Sequence, residues 1–374
     1  MKPEIIEVKS KSDLRKFIRL PAIIHKDHPN WVPPIYMDDR EFFNPKKNPA
    51  FGYSDTILLL ALKDKKPVGR IMGIINHKYN DSHNLKEGRF VFMETYNDFE
   101  VADALIKYVE DWAREHGMEK MVGPLGFSDK DPQGFQIEGY DAPVVIATNN
   151  NFPYMVDLIQ QSRYSKKVDL VVYRMDIPDE IPEFYQKIHE RASINNHGTH
   201  MVNFTSRKQM KPYVRPVFKL VNETFKDIYA FAPLSEDEMD EFAKRYLMIL
   251  DPRFLKVVES NEGEAVALIL GLPDLSEGIR KCRGRLIPFG FLHVLIQQRR
   301  TKQLDLLLGG IKSEFRNSGL DAILGVELLK EARKAGMKFI DSHLQLETNT
   351  KMRAEMEKMG GVVYKRFRIF EKDL

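Results

Sequence analysis

Two pairs of matching segments recur at nearly the same spacing, and this repetition constrains the fold more than any single motif does. Val68, Ile71 and Gly73 return as Val266, Ile269 and Gly271, 198 positions later. Ala113-Arg114-x-x-Gly117-Met118 returns as Ala332-Arg333-x-x-Gly336-Met337, 219 positions later. The first match lies in a β-rich run and the second at the end of a long helical pattern. The chain therefore reads as one α/β unit built twice, with an insertion of 21 residues in the second copy. Chance similarity between two α/β segments is the competing reading. A length of 374 residues is enough for two cores of ordinary domain size.

In the first copy, hydrophobic spacing predicts a strand over 5–8 and a helix over 11–25. Strands 56–62 and 67–76 flank a charged turn, as in a hairpin, and a further strand runs over 89–95. A helix over 99–116 stops at Gly117. The second copy repeats the order: strand 201–205, helices 213–225 and 236–250, hairpin 254–259 with 264–272, then strand 304–311. A helix to 335, a strand over 338–346, a helix from Asn349 to near Gly360 and a strand over 362–370 complete it.

Composition narrows the function. Lys and Arg number 57 against 54 Asp and Glu, a net charge of +3, so no specific nucleic acid is expected as a partner. Cys282 is the single cysteine, which excludes an intrachain disulfide, a C-x-x-C redox pair and a multi-cysteine zinc site; no metal is expected. The first ten residues lack the apolar core of a signal peptide. No apolar run approaches the roughly 18–20 residues that span a bilayer. A cytoplasmic location is the expectation.

The segment 304–335 carries the clearest chemistry. A strand passes into a helix through Arg316-Asn317-Ser318-Gly319-Leu320-Asp321-Ala322. Free backbone N–H groups and the positive end of the helix dipole suit a pyrophosphate there. Gly319 allows close approach of a phosphate, and Arg316 supplies charge-assisted hydrogen bonds. An ordinary strand-to-helix turn with a solvated arginine is the plainer alternative.

In its context the segment resembles motif A of the GNAT superfamily of acyl-CoA-dependent N-acyltransferases, whose loop runs R/Q-x-x-G-x-G/A. Here it stands as Arg316-x-x-Gly319-x-Asp321. Pro29-Asn30-Trp31-Val32-Pro33-Pro34 and Asn44-Pro45-Lys46-Lys47-Asn48-Pro49 are similar to segments of uncharacterised bacterial tandem GNAT-like proteins. The resemblance implies an α/β (α+β) fold of two tandem GNAT-like domains, each a mixed, mostly antiparallel twisted sheet flanked by helices. Residues 1–175 would form a degenerate first domain, 176–198 a linker, and 199–374 a second domain with an insertion near 275–302. It also implies acetyl-CoA as donor, held by Gly310, Ile311, Arg316, Asn317, Ser318, Gly319, Leu320, Asp321, Ala322 and Asn349, with a small-molecule or peptide amine as acceptor.

Three features depart from the family pattern. Asp321 replaces the final small residue of the loop. Met356 stands seven residues after Asn349, where the superfamily often has a tyrosine that protonates the thiolate. At the 219 offset, Asn97 and Glu100 stand where Arg316 and Gly319 do, so the first copy lacks a phosphate cradle. Asn349 has a second reading as a helix N-cap.

On the strand before Asn349, period two puts Asp341, His343, Gln345 and Glu347 on one face. His343 and Glu347 are the candidate bases and Tyr364 a candidate acid, each with a structural alternative. Cys282, among Arg280, Lys281, Arg283 and Arg285, is the weaker candidate for a covalent acyl carrier. Between Glu277 and Asp305 there is no acidic residue, and Arg299, Arg300 and Lys302 close an apolar stretch over 286–296. That stretch reads as an amphipathic helix over the acceptor site, against an acidic partner, on an anionic membrane surface, or packed on its own domain or on a second subunit in a homodimer. The leading expectation is N-acyl transfer in the second half. The alternatives are a non-catalytic module that binds CoA or another ligand on a decayed fold, and a tRNA-dependent aminoacyltransferase.

Overall fold

A computed structural model describes residues 2–195, 198–226 and 228–374. The first half supplies strands β1 (Glu4–Glu7), β2 (Ser54–Lys63), β3 (Lys66–Asn76), β4 (Glu87–Thr95), β5 (Lys120–Gly123), β6 (Phe135–Glu138) and β7 (Ser165–Asp176). The second supplies β8 (Thr199–Asn203), β9 (Leu255–Ser260), β10 (Ala265–Pro273), β11 (Gln303–Ile311), β12 (Phe339–Asp341), β13 (Gln345–Leu346) and β14 (Val362–Asp373).

Among the described residues these strands join in one sheet, in the order β1-β2-β3-β4-β5-β14-β7-β12-β11-β10-β9-β8, with β6 on β14 and β13 on β7. Each half follows one plan: an antiparallel run, a long helix, then a parallel pair. The pairs are β4 with β5 and β11 with β12. The Phe99–Glu115 and Leu320–Lys334 helices make the crossovers, and Gly117 (φ 76°) and Gly336 (φ 73°) follow them in the left-handed region. The repeated glycines of the sequence thus occupy equivalent positions.

The halves exchange their last strands. β14 lies between β5 and β7, with Phe370 opposite Gly123 and Phe367 opposite Leu170. β7 meets β12 in turn, with Ile340 opposite Met175. The Phe99–Glu115 helix packs on one face of the first half with Phe90, Phe135 and Phe370, while Lys11–Ile24 covers the other with Leu60, Met72 and Ile74. In the second half, Val214–Thr224 covers Val257, Leu268 and Leu270, and Leu320–Lys334 covers Leu304, Ile340 and Tyr173.

Several elements differ from the sequence reading. The strand expected over 338–346 is broken into β12 and β13, because His343 takes a left-handed conformation (φ 57°) between them. Within 176–198 lies the Glu183–Asn195 helix, which packs on Leu320–Lys334; residues 196 and 197 lie outside the described residues. The insertion forms two helices, Ser276–Lys281 and Gly290–Arg300, the second starting after Pro288. No helix of the described residues is long and apolar enough to cross a membrane.

Candidate functional site

A parallel pair whose strands diverge leaves a wedge, and each half has one. In the first half β4 and β5 pair as far as Arg89 with Val122. Beyond that point the wedge is filled. Leu125 N–H donates to Phe90 O (2.9 Å), Phe90 packs edge-on to Tyr164 and near Phe135, and Tyr154 Oη donates to Thr95 O (2.8 Å). The following helix is capped by Asp98, which accepts from Val101 N–H (3.3 Å) and pairs with Lys63 (2.6 Å). Its cap is Asp98, two positions before the Glu100 that the offset alone selects. In either alignment a carboxylate stands where a phosphate would sit.

The second wedge differs. β11 and β12 pair through Asp305 with Asp341 and then separate. From Leu306 to Ile311, β11 is bonded among the described residues to β10 on one edge only. The chain then passes Asn317 (φ 63°) and Gly319 (φ 87°) into the Leu320–Lys334 helix, whose start has no side-chain cap. The first intrahelical bond runs from Ile323 N–H to Gly319 O (3.0 Å), which leaves the N–H groups of Leu320, Asp321 and Ala322 for another acceptor. Arg316 is exposed, and its Nε reaches Ile311 O at 3.3 Å. Asp321 neither caps the helix nor pairs with Arg316. Gly319 is needed for its φ and for packing: a Cβ there would lie 2.8 Å from Ala192 Cβ.

The structure divides the remaining sequence candidates. Gly310 lies under Thr224, 2.6 Å from the position a Cβ would take, and Ile311 ends β11. Asn349 is the N-cap of Thr350–Lys358 and accepts from Met352 N–H (3.3 Å). Met356 is buried in the core with Met175 and Leu328, so its site is closed to a tyrosine acid. Glu347 is held by Lys166 (2.7 Å) and by Asp169 N–H (3.0 Å), away from His343; burial works to raise its pKa, but these contacts hold it below the usual range.

His343 and Tyr364 come together at the wedge apex, around Asp341. Asp341 accepts from His343 N–H (2.7 Å) and from Tyr364 Oη, and Lys365 Nζ donates to Tyr364 Oη (2.9 Å). The His343 ring meets Ile146 O through Nε2 (3.1 Å). A carbonyl can only accept, so Nε2 carries the hydrogen and Nδ1 the lone pair in the neutral ring. Burial holds the His343 pKa below 6.5 and lowers that of Lys365, whereas burial and the Asp341 charge push Tyr364 up.

Sequence reasoning missed Asp305 and Asp274. Asp305 is buried, accepts from Gln303 Nε2 (2.6 Å), and has no partner for its second oxygen among the described residues. Burial, with Asp274 and Asp341 nearby, raises its pKa well above 3.8. Among the described residues no group of three or more His, Cys, Asp or Glu is arranged to hold a metal.

Segment 143–147 separates this apex from a cleft of about 470 Å³ between the halves, lined by Trp31, Phe92, Phe127, Phe135 and Ile146 among others. Eight carboxylates line the cleft, including Glu94, Asp131 and Glu238, against three cations, Lys47, Arg70 and Lys130. Glu94 is bonded to His25 (2.6 Å) and approached by Arg70 (3.5 Å). Burial raises its pKa, but these two neighbours outweigh it and keep the carboxyl ionised. His25 is stacked between Trp31 and Phe152 at 5.2 and 4.9 Å. Burial, then the neighbouring His25, lowers the His28 pKa to about 4. The short spacing of His25, His28 and Trp31 is the only sequence signal for this group.

The family model described as acetyltransferase (GNAT) family matches residues 20–124, in the half whose wedge is filled. Over 99% of its length the chain is 28% identical to bacterial ceramide synthase of Caulobacter vibrioides, covering 97% of that protein. It is 25% identical to protein YghO of Escherichia coli, with 98% of this chain and 94% of that one aligned. A tandem GNAT protein from the clavulanic acid biosynthesis pathway shares the fold with a TM-score of 0.55 at 12% identity, covering 100% of this chain and 98% of that one. A GCN5-related N-acetyltransferase from Sphaerobacter thermophilus does so with a TM-score of 0.52 at 13% identity, over 99% and 95%.

Proposed function

We propose that the chain is a tandem GNAT-superfamily protein that transfers an acyl group from acyl-CoA to the amine of a lipid, with the thioester held in the second half; the family-model match over 20–124 and the fold shared with a tandem GNAT protein support this. The contrast between the two wedges carries this reading. The first is packed with its own side chains and capped by a carboxylate. The second keeps a one-sided strand edge that leads to an uncapped helix start. Arg316, Asn317, Ser318 and the N–H groups of Leu320 to Ala322 suit the pyrophosphate, and the edge over 306–311 suits an extended pantetheine arm. Asp321 is the one charge of the wrong sign in that set.

Bound acyl-CoA supplies an activated carbonyl, and positioning supplies much of the rate. On the protein side, Nδ1 of neutral His343 accepts the proton of the attacking amine. Tyr364 retains a proton for the departing thiolate, and Lys365 stands at 2.9 Å to replace it. The acidic, apolar cleft beyond segment 143–147 favours an acceptor with a cationic head and an apolar body. Ceramide is an N-acylated long-chain amine, so the name of the Caulobacter relative supports the same acceptor class.

The test is to offer the full chain acetyl-CoA or a long-chain acyl-CoA, with either a sphingoid base or a water-soluble polyamine, and to measure free CoA and the amide by mass spectrometry. Amide formation on the long-chain amine is expected. Equal turnover of the polyamine would overturn the lipid assignment. Absence of CoA release with every pair would return the chain to the binding-module reading.

A further inference from the structure

The insertion carries a feature that acyl transfer does not use. Ile287 and Phe289 are 74% and 71% exposed, and Phe291, Leu292, Leu295 and Ile296 are exposed beside them. The Gly290–Arg300 helix is anchored on one side only, where Val294 is buried against Leu275 and Ile279. A Cβ on Gly278 would lie 2.8 Å from Val294 Cα, so the two helices meet almost backbone to backbone. Isolated exposed apolar residues need no explanation, but six within ten positions form a patch.

The charges around the patch have one sign. Arg283, Arg285, Arg299 and Arg300 border it, and among the described residues none has a carboxylate within ion-pair distance. Next to Ile287 opens a groove of about 660 Å³ between this segment and the Lys11–Ile24 helix. Lys11, Arg15, Arg19, Arg40 and Arg285 line it around an apolar floor that includes Ile18, and no carboxylate lines it. Lys11, Arg15 and Arg19 follow one another at i, i+4 on one helix face.

From this juxtaposition we infer that the insertion and the adjoining face of the Lys11–Ile24 helix dock on an anionic bilayer surface. Apolar side chains entering the acyl boundary, with arginines level with the headgroups, match an interfacial helix. The groove accepts a lipid phosphate among its five cations. A second copy of this chain fits less well, since a self-paired face brings these arginines against their own equivalents. Docking is independent of the transfer reaction and of which half performs it.

The experiment sediments the full chain, without any acyl donor, with vesicles of phosphatidylcholine alone or containing one-third phosphatidylglycerol. Enrichment on the anionic vesicles at low salt, weakened by high salt, is expected. Each arginine near the surface contributes about fivefold to partitioning, so Arg299→Gln with Arg300→Gln should lower it roughly 25-fold. Ile287→Ser with Phe289→Ser should remove the part that survives high salt. All four side chains are exposed, so melting temperature should stay unchanged. Independently, Phe289→Trp should show a blue-shifted emission only when anionic vesicles are present. No enrichment on anionic vesicles, enrichment indifferent to both double substitutions, or a blue shift that follows protein concentration without vesicles would overturn the proposal. The last result would assign the face to a second copy.

Discussion

At the scale of single residues, His343 and Glu347 make a direct comparison. Replacing His343 by Gln keeps a donor for Ile146 O but removes the basic nitrogen, and should lower kcat by about 100-fold or more. Because burial lowers the His343 pKa, the neutral base persists below pH 6.5, and the rising limb of kcat/KM should fall below that pH. Glu347→Gln weakens a half-exposed brace to Lys166, at a cost of about 1 kcal/mol or less, and should leave the limb where it was. Asp305 makes a stability prediction. Its folded pKa lies well above 3.8, so the fold binds a proton that the unfolded chain releases. That stabilisation is full below pH 3.8 and is lost as pH rises through the folded pKa. Thermal melts of Asp305→Asn should therefore come nearest the wild type in acid, at pH 3.8 and below, and exceed it by a growing margin as the pH is raised above that. His343 and Tyr364 could be singled out as candidates from the sequence because their chemistry is local to their side chains. Asp305 was not, since its charge state depends on Asp274 and Asp341, which adjoin it only once three strands are in register.

Among the elements, the start of the Leu320–Lys334 helix carries the next prediction. Arg316→Ala should weaken CoA binding severalfold by calorimetry, and Asp321→Asn should tighten it, more at low salt than at high. Unchanged affinity in both would remove this loop from the cofactor site. Gly319 is a poor place for the test, because any side chain there presses on Ala192 before it meets a phosphate. The helices and hairpins with strong periodicity were legible nearly to their ends, from the Lys11–Ile24 helix to the turn between β2 and β3. The strand over 338–346 was misread because alternation assumes continuous extended backbone, and the left-handed His343 interrupts it. β5 and β7 were passed over for another reason: β5 is four residues long, and the middle of β7, residues 169–173, is buried on both faces and shows no alternation.

For the whole molecule, the duplication was legible from a few repeated residues, but the exchange of last strands was not, because pairing partners leave no local pattern. The exchange makes a strong prediction about truncation. Phe367, Ile369 and Phe370 on β14 are fully buried against both halves. At about 1.5–3 kcal/mol each, their loss approaches the whole stability of a typical domain. A chain ending at Gly361 should therefore lose protection from hydrogen exchange in β4 and β5 as well as in the second half. A protein in which only the second half loosened would refute this coupling. The same exchange has a consequence during synthesis. β5 emerges from the ribosome more than two hundred residues before the strand that covers its edge. At about 5–20 residues per second the first half waits on the order of tens of seconds with that edge bare. An unfinished chain can complete neither half of the sheet, so translation must pass β14 before either half of this protein exists in working form.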